Sequence, residues 1–229
     1  MPASTPLAYG KIANAYDAVL TFSGFRRGIE NFLDRLELSL PPAPKILDAG
    51  CGTGLMSRYL IRRFPDARIV ALDIDRNMLG EMERLIAEEN LPKEQIAIAE
   101  GDLSSPERIR LFGSGERVAV SENYFDGIFV SGALEHVPLR ETVRRLTRLL
   151  KPVRSAGGPG GFFLNLGMRR SPAGAILGMM YGVKPYRIAE MRAAYEGAGL
   201  ADIQVLRLGA EDFPANLSRI AITAQKRYE

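Results

Sequence analysis

The sequence predicts an α/β fold with a doubly wound, mostly parallel sheet covered by helices on both faces. Short apolar segments alternate with longer segments whose apolar residues recur every three or four positions. Such alternation implies right-handed crossovers between parallel strands. The last two strands follow each other without room for a helix, so we expect them to form an antiparallel hairpin at one edge. The 229 residues are 46% hydrophobic and 25% charged, which is an ordinary globular composition.

Seven strands are predicted from the apolar segments. They cover residues 45–49, 68–72, 95–99, 125–130, 161–166, 203–208 and 219–224. A helical pattern formed by Ile29, Phe32 and Leu33 precedes the first strand and is closed by a proline-rich run. We therefore expect one domain over 1–229, with an N-terminal helical cap at 1–44 and an α/β core with substrate-side insertions at 45–229.

Charge and rare residues narrow the class of protein. The formal charge of +3 is weak evidence for nucleic-acid binding. The single cysteine, Cys51, cannot form an internal disulfide, and the single histidine disfavours a His-rich metal site. The N-terminus lacks a secretory pattern, so the cytoplasm is the expected compartment. The longest apolar stretch, 173–183, is too short to span a membrane, although contact with a membrane surface stays open.

A glycine-rich loop follows the first predicted strand. The segment 48–54 reads DAGCGTG and precedes a helix. Glycines allow a ligand to approach the backbone closely, and a helix N-terminus offers free N–H groups. The spacing G-x-G-x-G differs from the dinucleotide pattern, and no phosphate-binding Gly-Lys-Ser/Thr follows. A ligand that carries a nucleoside without a phosphate at this loop is therefore favoured.

Two carboxylates follow the next two strands. Asp73 ends the second strand, 23 residues after Gly50, where an α/β nucleotide site places a ribose acceptor. Asp102 follows the third strand. Because parallel strands present their carboxyl ends at one edge of the sheet, we expect the loop and both acids to form one site there.

Several motifs together resemble those of class I S-adenosylmethionine-dependent methyltransferases. They are LDAGCGTG at 47–54, ALDID at 71–75 with Met78 and Leu79, GDL at 101–103, YFDGIFV at 124–130 and LLKP at 149–152. The resemblance runs from about Ile46 to the C-terminus. It implies a Rossmann-like fold and S-adenosyl-L-methionine as the cofactor. The single cysteine and single histidine separately favour chemistry without a metal.

The resemblance also implies a set of cofactor contacts. The loop glycines would surround the methionine part, Asp73 would hold the ribose, Asp102 with Leu103 would address the adenine, and Ser131 would line the site near the sulfonium. The full set is Tyr16, Asp48, Gly50, Cys51, Gly52, Gly54, Asp73, Ile74, Met78, Asp102, Leu103 and Ser131.

The upstream stretch 12–17, with 23–27 beyond it, is similar to the entry segment of ubiquinone/menaquinone C-methyltransferases. By that likeness Tyr16 closes over the cofactor; packing within the cap helix is the alternative. Two connections depart from the family pattern. Residues 108–123 lengthen the link between the third and fourth strands, and a glycine-rich stretch follows Pro152.

His136 and Glu135 follow the fourth strand, and they are the candidate catalytic residues. A histidine with an ordinary pKa near 6.5 suits proton abstraction at neutral pH. A structural role for His136, as a helix cap or beneath the cofactor, is the alternative, and Glu135 is the weaker candidate. The apolar stretch 173–183 is either a lid over an apolar acceptor or a helix packed on the core.

The sequence therefore predicts a methyltransferase that acts on a small, apolar or lipid-like acceptor such as a quinone, phenol or amine. A nucleic-acid or protein methyltransferase is the alternative. The Asn/Asp-Pro-Pro-Tyr/Phe motif of base N-methylation is absent after the fourth strand, where Ser131-Gly132-Ala133-Leu134 stands. A cofactor-binding protein without turnover is a third hypothesis. The oligomeric state is left open.

Overall fold

The computed structural model describes residues 13–152 and 161–226, and side chains from residue 17 onward. Most of the glycine-rich stretch after Pro152 lies outside these residues. In the described part of the chain, each helix is too short or too polar to cross a membrane. Seven α-helices are present among these residues. They are α1 (Ala13–Phe22), α2 (Phe25–Arg35), α3 (Leu55–Arg63), α4 (Arg76–Glu88), α5 (Leu139–Leu149), α6 (Pro172–Tyr181) and α7 (Ile188–Glu196).

Nine strands of the described residues form one sheet. They are β1 (Lys45–Ala49), β2 (Arg68–Asp73), β3 (Ile96–Glu100), β4 (Arg108–Leu111), β5 (Arg117–Ala119), β6 (Gly127–Ser131), β7 (Phe162–Met168), β8 (Leu200–Arg207) and β9 (Arg219–Lys226). Their order across the sheet is β5-β4-β3-β2-β1-β6-β7-β9-β8. The five strands from β3 to β7 in this order are parallel. β9 is antiparallel to β7 and to β8.

The α/β fold and the antiparallel C-terminal pair are thus confirmed, whereas the count of seven strands is wrong. The two additional strands are β4 and β5, which lie in the lengthened connection noted in the sequence. β4 pairs antiparallel with β3 through Ala99 and Leu111. Exposed arginines alternate with apolar residues along β4, and β5 has only three residues, two of them exposed. Neither strand therefore presents the continuous apolar run by which buried parallel strands are predicted.

The sheet separates two apolar clusters. Ile46 of β1 faces one cluster and the adjacent Leu47 faces the other, as the alternation of side chains along a strand requires. Helix α2 buries Ile29 and Leu33 in the cluster that contains Ile46. The cap helix therefore shares the core of the sheet. The division into a cap at 1–44 and a core at 45–229 stays a prediction.

Gly28 shows how closely α2 approaches the connection between β8 and β9. A Cβ atom at Gly28 would lie 2.3 Å from the carbonyl oxygen of Asp212. Any larger residue at this position would push the cap helix away from the segment that leads into β9. This contact places α2 against the connection between β8 and β9, and Phe25 at the start of α2 lies near Arg219, the first residue of β9.

Candidate active site

The glycine loop connects β1 to α3 at the carboxyl edge of the sheet. Gly50, Gly52 and Gly54 have φ angles of 77°, 53° and 79°, which favour glycine. A Cβ atom at Gly50 would lie 2.3 Å from Cβ of Ala133, and one at Gly54 would lie 2.7 Å from Cγ of Met82. A Cβ atom at Gly52 would meet no atom within 4 Å. Gly50 and Gly54 permit close packing, whereas Gly52 faces open space.

Asp73 joins the end of β2 to this loop. Its Oδ2 accepts a hydrogen bond from the N–H of Gly52 at 2.8 Å, and its Oδ1 accepts one from the N–H of Asp75 at 2.9 Å. Burial raises the pKa of the Asp73 carboxyl, and these backbone hydrogen bonds oppose that rise. Each oxygen retains a lone pair, so the carboxylate can also accept hydrogen bonds from the two hydroxyls of a ribose.

Asp48 lies beneath the loop and is fully buried. Its Oδ2 accepts hydrogen bonds from the N–H and Oγ of Ser57, at 3.0 and 2.6 Å. Its Oδ1 is buried without a hydrogen-bond partner among the described residues. Burial raises the pKa of Asp48 to about 7. This carboxyl orients the first turn of α3, and its predicted contact with the cofactor stays a prediction.

Cys51 is also buried, and its N–H donates to the carbonyl of Leu72 at 2.9 Å. Burial raises the pKa of its thiol well above the usual value. The neutral thiol is a weak nucleophile, so Cys51 serves the shape of the loop rather than covalent chemistry.

A second part of the site lies beyond β2 and β3. A hollow of about 550 Å³ is lined by Ile74, Gly101 and Asp102 together with β4 and β5. Ile74 is 60% exposed, whereas Leu103 and Met78 are buried. Oδ1 of Asp102 accepts a hydrogen bond from the N–H of Ser104 at 2.7 Å. Ile74 and Asp102 of the predicted cofactor contacts line this hollow, Leu103 and Met78 do not, and the additional hairpin forms one of its walls.

Helix α1 is held against the glycine loop by Asp17, a residue that sequence reasoning missed. The buried Asp17 accepts hydrogen bonds through Oδ1 from Oγ1 of Thr53, at 3.2 Å, and from Nη2 of Arg58. Arg58 is fully buried and also pairs with Glu89 of α4's C-terminal end. Tyr16 precedes Asp17 in α1, but its side chain lies outside the described residues. The only indication in the sequence that Asp17 belongs to the site is its place in the stretch 12–17.

The turn after β6 carries the candidate catalytic residues. Ser131 ends β6 and is half-buried, and a short 3-10 turn covers Leu134–His136. Oε1 of Glu135 accepts a hydrogen bond from the N–H of Met168, so this side chain links the turn to the end of β7. Its Oε2 is buried without a partner among the described residues.

His136 is exposed, although its imidazole is partly covered by neighbouring atoms. Partial burial is the main reason that its pKa is lowered. The charges of Glu135 and Asp73 oppose this shift, and that of Arg219 reinforces it. His136 therefore lies close enough to Glu135, Asp73 and Arg219 for their charges to affect its pKa. At neutral pH a lowered pKa leaves the imidazole neutral and able to accept a proton.

Arg219, the first residue of β9, is the second residue that sequence reasoning missed. It is only 9% exposed, and its Nε and Nη1 lack hydrogen-bond partners among the described residues. Its guanidinium carbon lies 5.4 Å from the centre of the Phe25 ring. In the sequence Arg219 opens an apolar strand, and nothing local marks it as part of a site.

The apolar stretch 173–183 forms α6, but neither expectation describes it fully. Gly174 and Gly178 are its buried residues, whereas Ile176, Met179 and Met180 are 60%, 84% and 62% exposed. The helix therefore packs through its glycines and presents its large apolar side chains outward. Its N-terminus is joined to the segment before β9, since Oγ of Ser171 donates to the carbonyl of Leu217 at 2.6 Å.

The comparisons with known proteins agree with this architecture. Residues 46–153 match the family of methyltransferase domains. The matched segment is just under half of the chain, and it contains the motifs that resemble those of the class I S-adenosylmethionine-dependent methyltransferases. Both the predicted class and S-adenosylmethionine as its cofactor are confirmed.

Among curated proteins, the malonyl-[acyl-carrier protein] O-methyltransferase of Acetivibrio thermocellus is 33% identical over 96 residues, which are 42% of this chain and 33% of the relative. The chain spans about a third of the length of the first such relatives.

Two solved structures show the same fold. A chain from the complex between the Haloferax volcanii Trm112 methyltransferase activator and a methyltransferase has a TM-score of 0.72, 16% identity and 99% coverage of both chains. Geranyl diphosphate C-methyltransferase from Streptomyces coelicolor A3(2), in complex with Mg²⁺, geranyl-S-thiolodiphosphate and S-adenosyl-L-homocysteine, has a TM-score of 0.66 and 13% identity. The match covers 87% of this chain and 76% of that one. At these identities the likeness concerns the fold alone.

Proposed function

We propose that the chain transfers the methyl group of S-adenosylmethionine to a small acceptor. The observation that carries this proposal is the open space above Gly52 beside the carboxylate of Asp73. The loop backbone can approach a ligand there without a steric barrier, and the acidic group lies where ribose hydroxyls need an acceptor. The hollow next to Ile74 and Asp102 offers room for an adenine.

The chain's residues divide into binding and positioning roles. Gly50, Gly52 and Gly54 shape the loop around the methionine part, Asp73 accepts from the ribose, and Ile74, Asp102 and Leu103 border the adenine. Asp48, Cys51 and Met78 support this surface from below, and Ser131 approaches it from β6. A contact of Tyr16 with the cofactor is proposed from its place in the sequence alone. When bound, S-adenosylmethionine supplies an electrophilic methyl group on a sulfonium.

Proton transfer is assigned to His136. A phenol, an ammonium or an acidic carbon has to lose a proton on methylation, and a neutral imidazole beside the carboxyl end of β6 can accept it. Glu135 holds the turn that carries His136 through its hydrogen bond to Met168. The main catalytic contribution of the other residues is to align the acceptor and exclude water.

An apolar or lipid-like acceptor is supported by α6. Ile176, Met179 and Met180 expose apolar surface on a helix that starts from the end of β7, and methionine adapts to irregular apolar ligands. The names of the similar proteins, with malonyl-[acyl-carrier protein] and geranyl diphosphate as acceptors, are consistent with a small methylated group. A quinone, a phenol or an amine remains the proposed class.

The proposal is tested by incubating the protein with methyl-labelled S-adenosylmethionine and a cell extract. Label is expected in an organic-soluble or low-mass product, and the Asp73→Ala variant should transfer far less. Arg207→Ala, at an exposed position of β8, is the matched control and should transfer as much as wild type. Label found only in RNA, DNA or protein would favour the macromolecular alternative. Intact cofactor binding without any transferred label would favour a binding protein without turnover.

A further inference from the structure

The side chain of Arg219 is a buried cation without an anionic partner among the described residues. Its Nε and Nη1 are buried and unpaired, and none of the ion pairs formed by these residues includes it. Removing a guanidinium from water is costly unless an anion and hydrogen-bond acceptors replace the water. The neighbouring Phe25 ring compensates for only a small part of this cost.

The guanidinium of Arg219 lies close to the turn that follows β6. A Cβ atom at Gly132 would lie 3.1 Å from Nη2 and 3.4 Å from Cζ of Arg219. Gly132 directly follows Ser131, the residue expected near the sulfonium. His136 lies in the field of Arg219 as well. Arg219 therefore borders the region assigned to the acceptor, on the side of β6 away from the adenine hollow.

We propose that Arg219 binds an anionic oxygen group, a carboxylate or a phosphate, of the methyl acceptor. This inference rests on the proposed function and narrows it: the acceptor combines an apolar body with an anionic head. The guanidinium donates charge-assisted hydrogen bonds to such groups, and its Nε and Nη1 are donors that lack an acceptor among the described residues. The methionine carboxylate of the cofactor has the same chemistry, but its place is assigned to the glycine loop.

Entry of the anion requires a movement in the cap. Both unpaired nitrogens are inaccessible in this structure, and Phe25, which is only partly buried, lies against the guanidinium. Phe25 is the first residue of α2 and follows Gly24, whose φ is 78°. A rotation of the Phe25 side chain would open the guanidinium toward the acceptor side. Binding of the acceptor is thereby coupled to the start of the cap helix.

The test measures binding of malonate and of inorganic phosphate, by calorimetry, to the protein saturated with S-adenosylhomocysteine. Wild type should bind at least one of these probes, and Arg219→Met should bind it at least tenfold more weakly. Arg207→Met is the matched control and should bind as wild type does. Affinity for S-adenosylhomocysteine, measured first and separately, should stay within twofold in every variant. Should Arg219→Met fail to fold, Arg219→Lys keeps the charge and should show weakened but measurable probe binding.

Two results would overturn the inference while leaving the proposed function intact. The first is equal probe binding by wild type and Arg219→Met, or none by wild type. The second is a tenfold loss of S-adenosylhomocysteine affinity in Arg219→Met with unchanged affinity for methylthioadenosine, which lacks the amino-acid part; this would assign Arg219 to the cofactor carboxylate. Failure of wild type to bind S-adenosylhomocysteine at all would instead contradict the proposed function.

Discussion

Thr53 of the glycine loop donates a hydrogen bond from Oγ1 to Oδ1 of Asp17 in α1, over 3.2 Å. Arg58 donates to the same oxygen and is itself fully buried. The N-terminal helix is thus tied to the loop that is proposed to surround the methionine part of the cofactor. Loop conformation and helix position are therefore coupled, and this coupling can be measured.

Asp17→Ala should lower the free energy of unfolding by about 3 kcal/mol, because it leaves the buried Arg58 with only Glu89 as an acidic partner. Affinity for S-adenosylhomocysteine should fall as the loop loses its contact with α1. Chemical denaturation with and without this ligand measures both effects. Glu141→Ala removes an exposed partner of Arg145 and should cost less than about 1 kcal/mol. Equal stability of the two variants would show that the contacts of Asp17 with Thr53 and Arg58 contribute little to stability.

Alanine substitutions at Gly50 and at Gly52 should have different effects on stability and on cofactor affinity. Gly50→Ala forces a Cβ atom to within 2.3 Å of Ala133, so a loss of stability of more than about 2 kcal/mol is expected. At position 52 the added Cβ atom would meet no other atom. Gly52→Ala should therefore lower the free energy of unfolding by only about 1 kcal/mol, because alanine disfavours a φ of 53°. Its added methyl group enters the proposed ligand space, so it should lose cofactor affinity instead. A Gly52→Ala variant that binds S-adenosylhomocysteine as wild type does would contradict the proposed path of the cofactor.

The raised pKa of Asp48 predicts that the stability of the protein depends on pH. Its pKa is about 7 in the folded protein, against about 3.9 in an unfolded chain. The folded state thus holds the proton more tightly, and this contribution to stability is complete below pH 4 and is lost as the pH rises through 7. The loss amounts to about 4 kcal/mol at most. Asp48→Asn cannot ionise, so its unfolding free energy relative to wild type should increase between pH 4 and 8. A constant difference across this range would contradict the shift.

His136→Ala should lower the rate of methyl transfer by about 10²–10⁴ with nearly unchanged affinity for the cofactor. Since its pKa is lowered, the wild-type rate should rise with pH at values below 6.5 and then level off. The variant should lose this rise. Arg140→Ala, at an exposed position of α5, is the control. Turnover within a few-fold of wild type, with the same pH profile, would assign His136 a structural role.

The parts of the fold that the sequence predicted are those with a strong local signal. The parallel strands are buried on both faces and appear as apolar runs, such as the segment around Ile128. β4 and β5 have alternate exposed residues and short lengths, so their pairing with β3 depends on tertiary contacts. The outward orientation of Met179 likewise depends on how α6 packs, which its apolar composition alone could not predict.

The residues of the candidate site also fall into those that the sequence predicted and those that it could not predict. Gly52 and Asp73 were predicted because loop glycines and strand-end acids stand at characteristic positions in the chain. Asp17 and Arg219 were not, because their roles arise from contacts with Arg58 and Gly132, which are distant in sequence. Burial of a charged residue is a property of the packed structure, and no local pattern indicates it.

The central claim is that S-adenosylmethionine binds across the glycine loop and Asp73. Calorimetric titration with S-adenosylhomocysteine tests it directly. Asp73→Ala removes a charged acceptor for two ribose hydroxyls and for the N–H of Gly52, so affinity should fall by about 1–3 kcal/mol relative to wild type. Asp66→Ala, an exposed carboxylate outside the proposed site, should bind as wild type does. Equal affinities of wild type, Asp73→Ala and Asp66→Ala would contradict this account of the site.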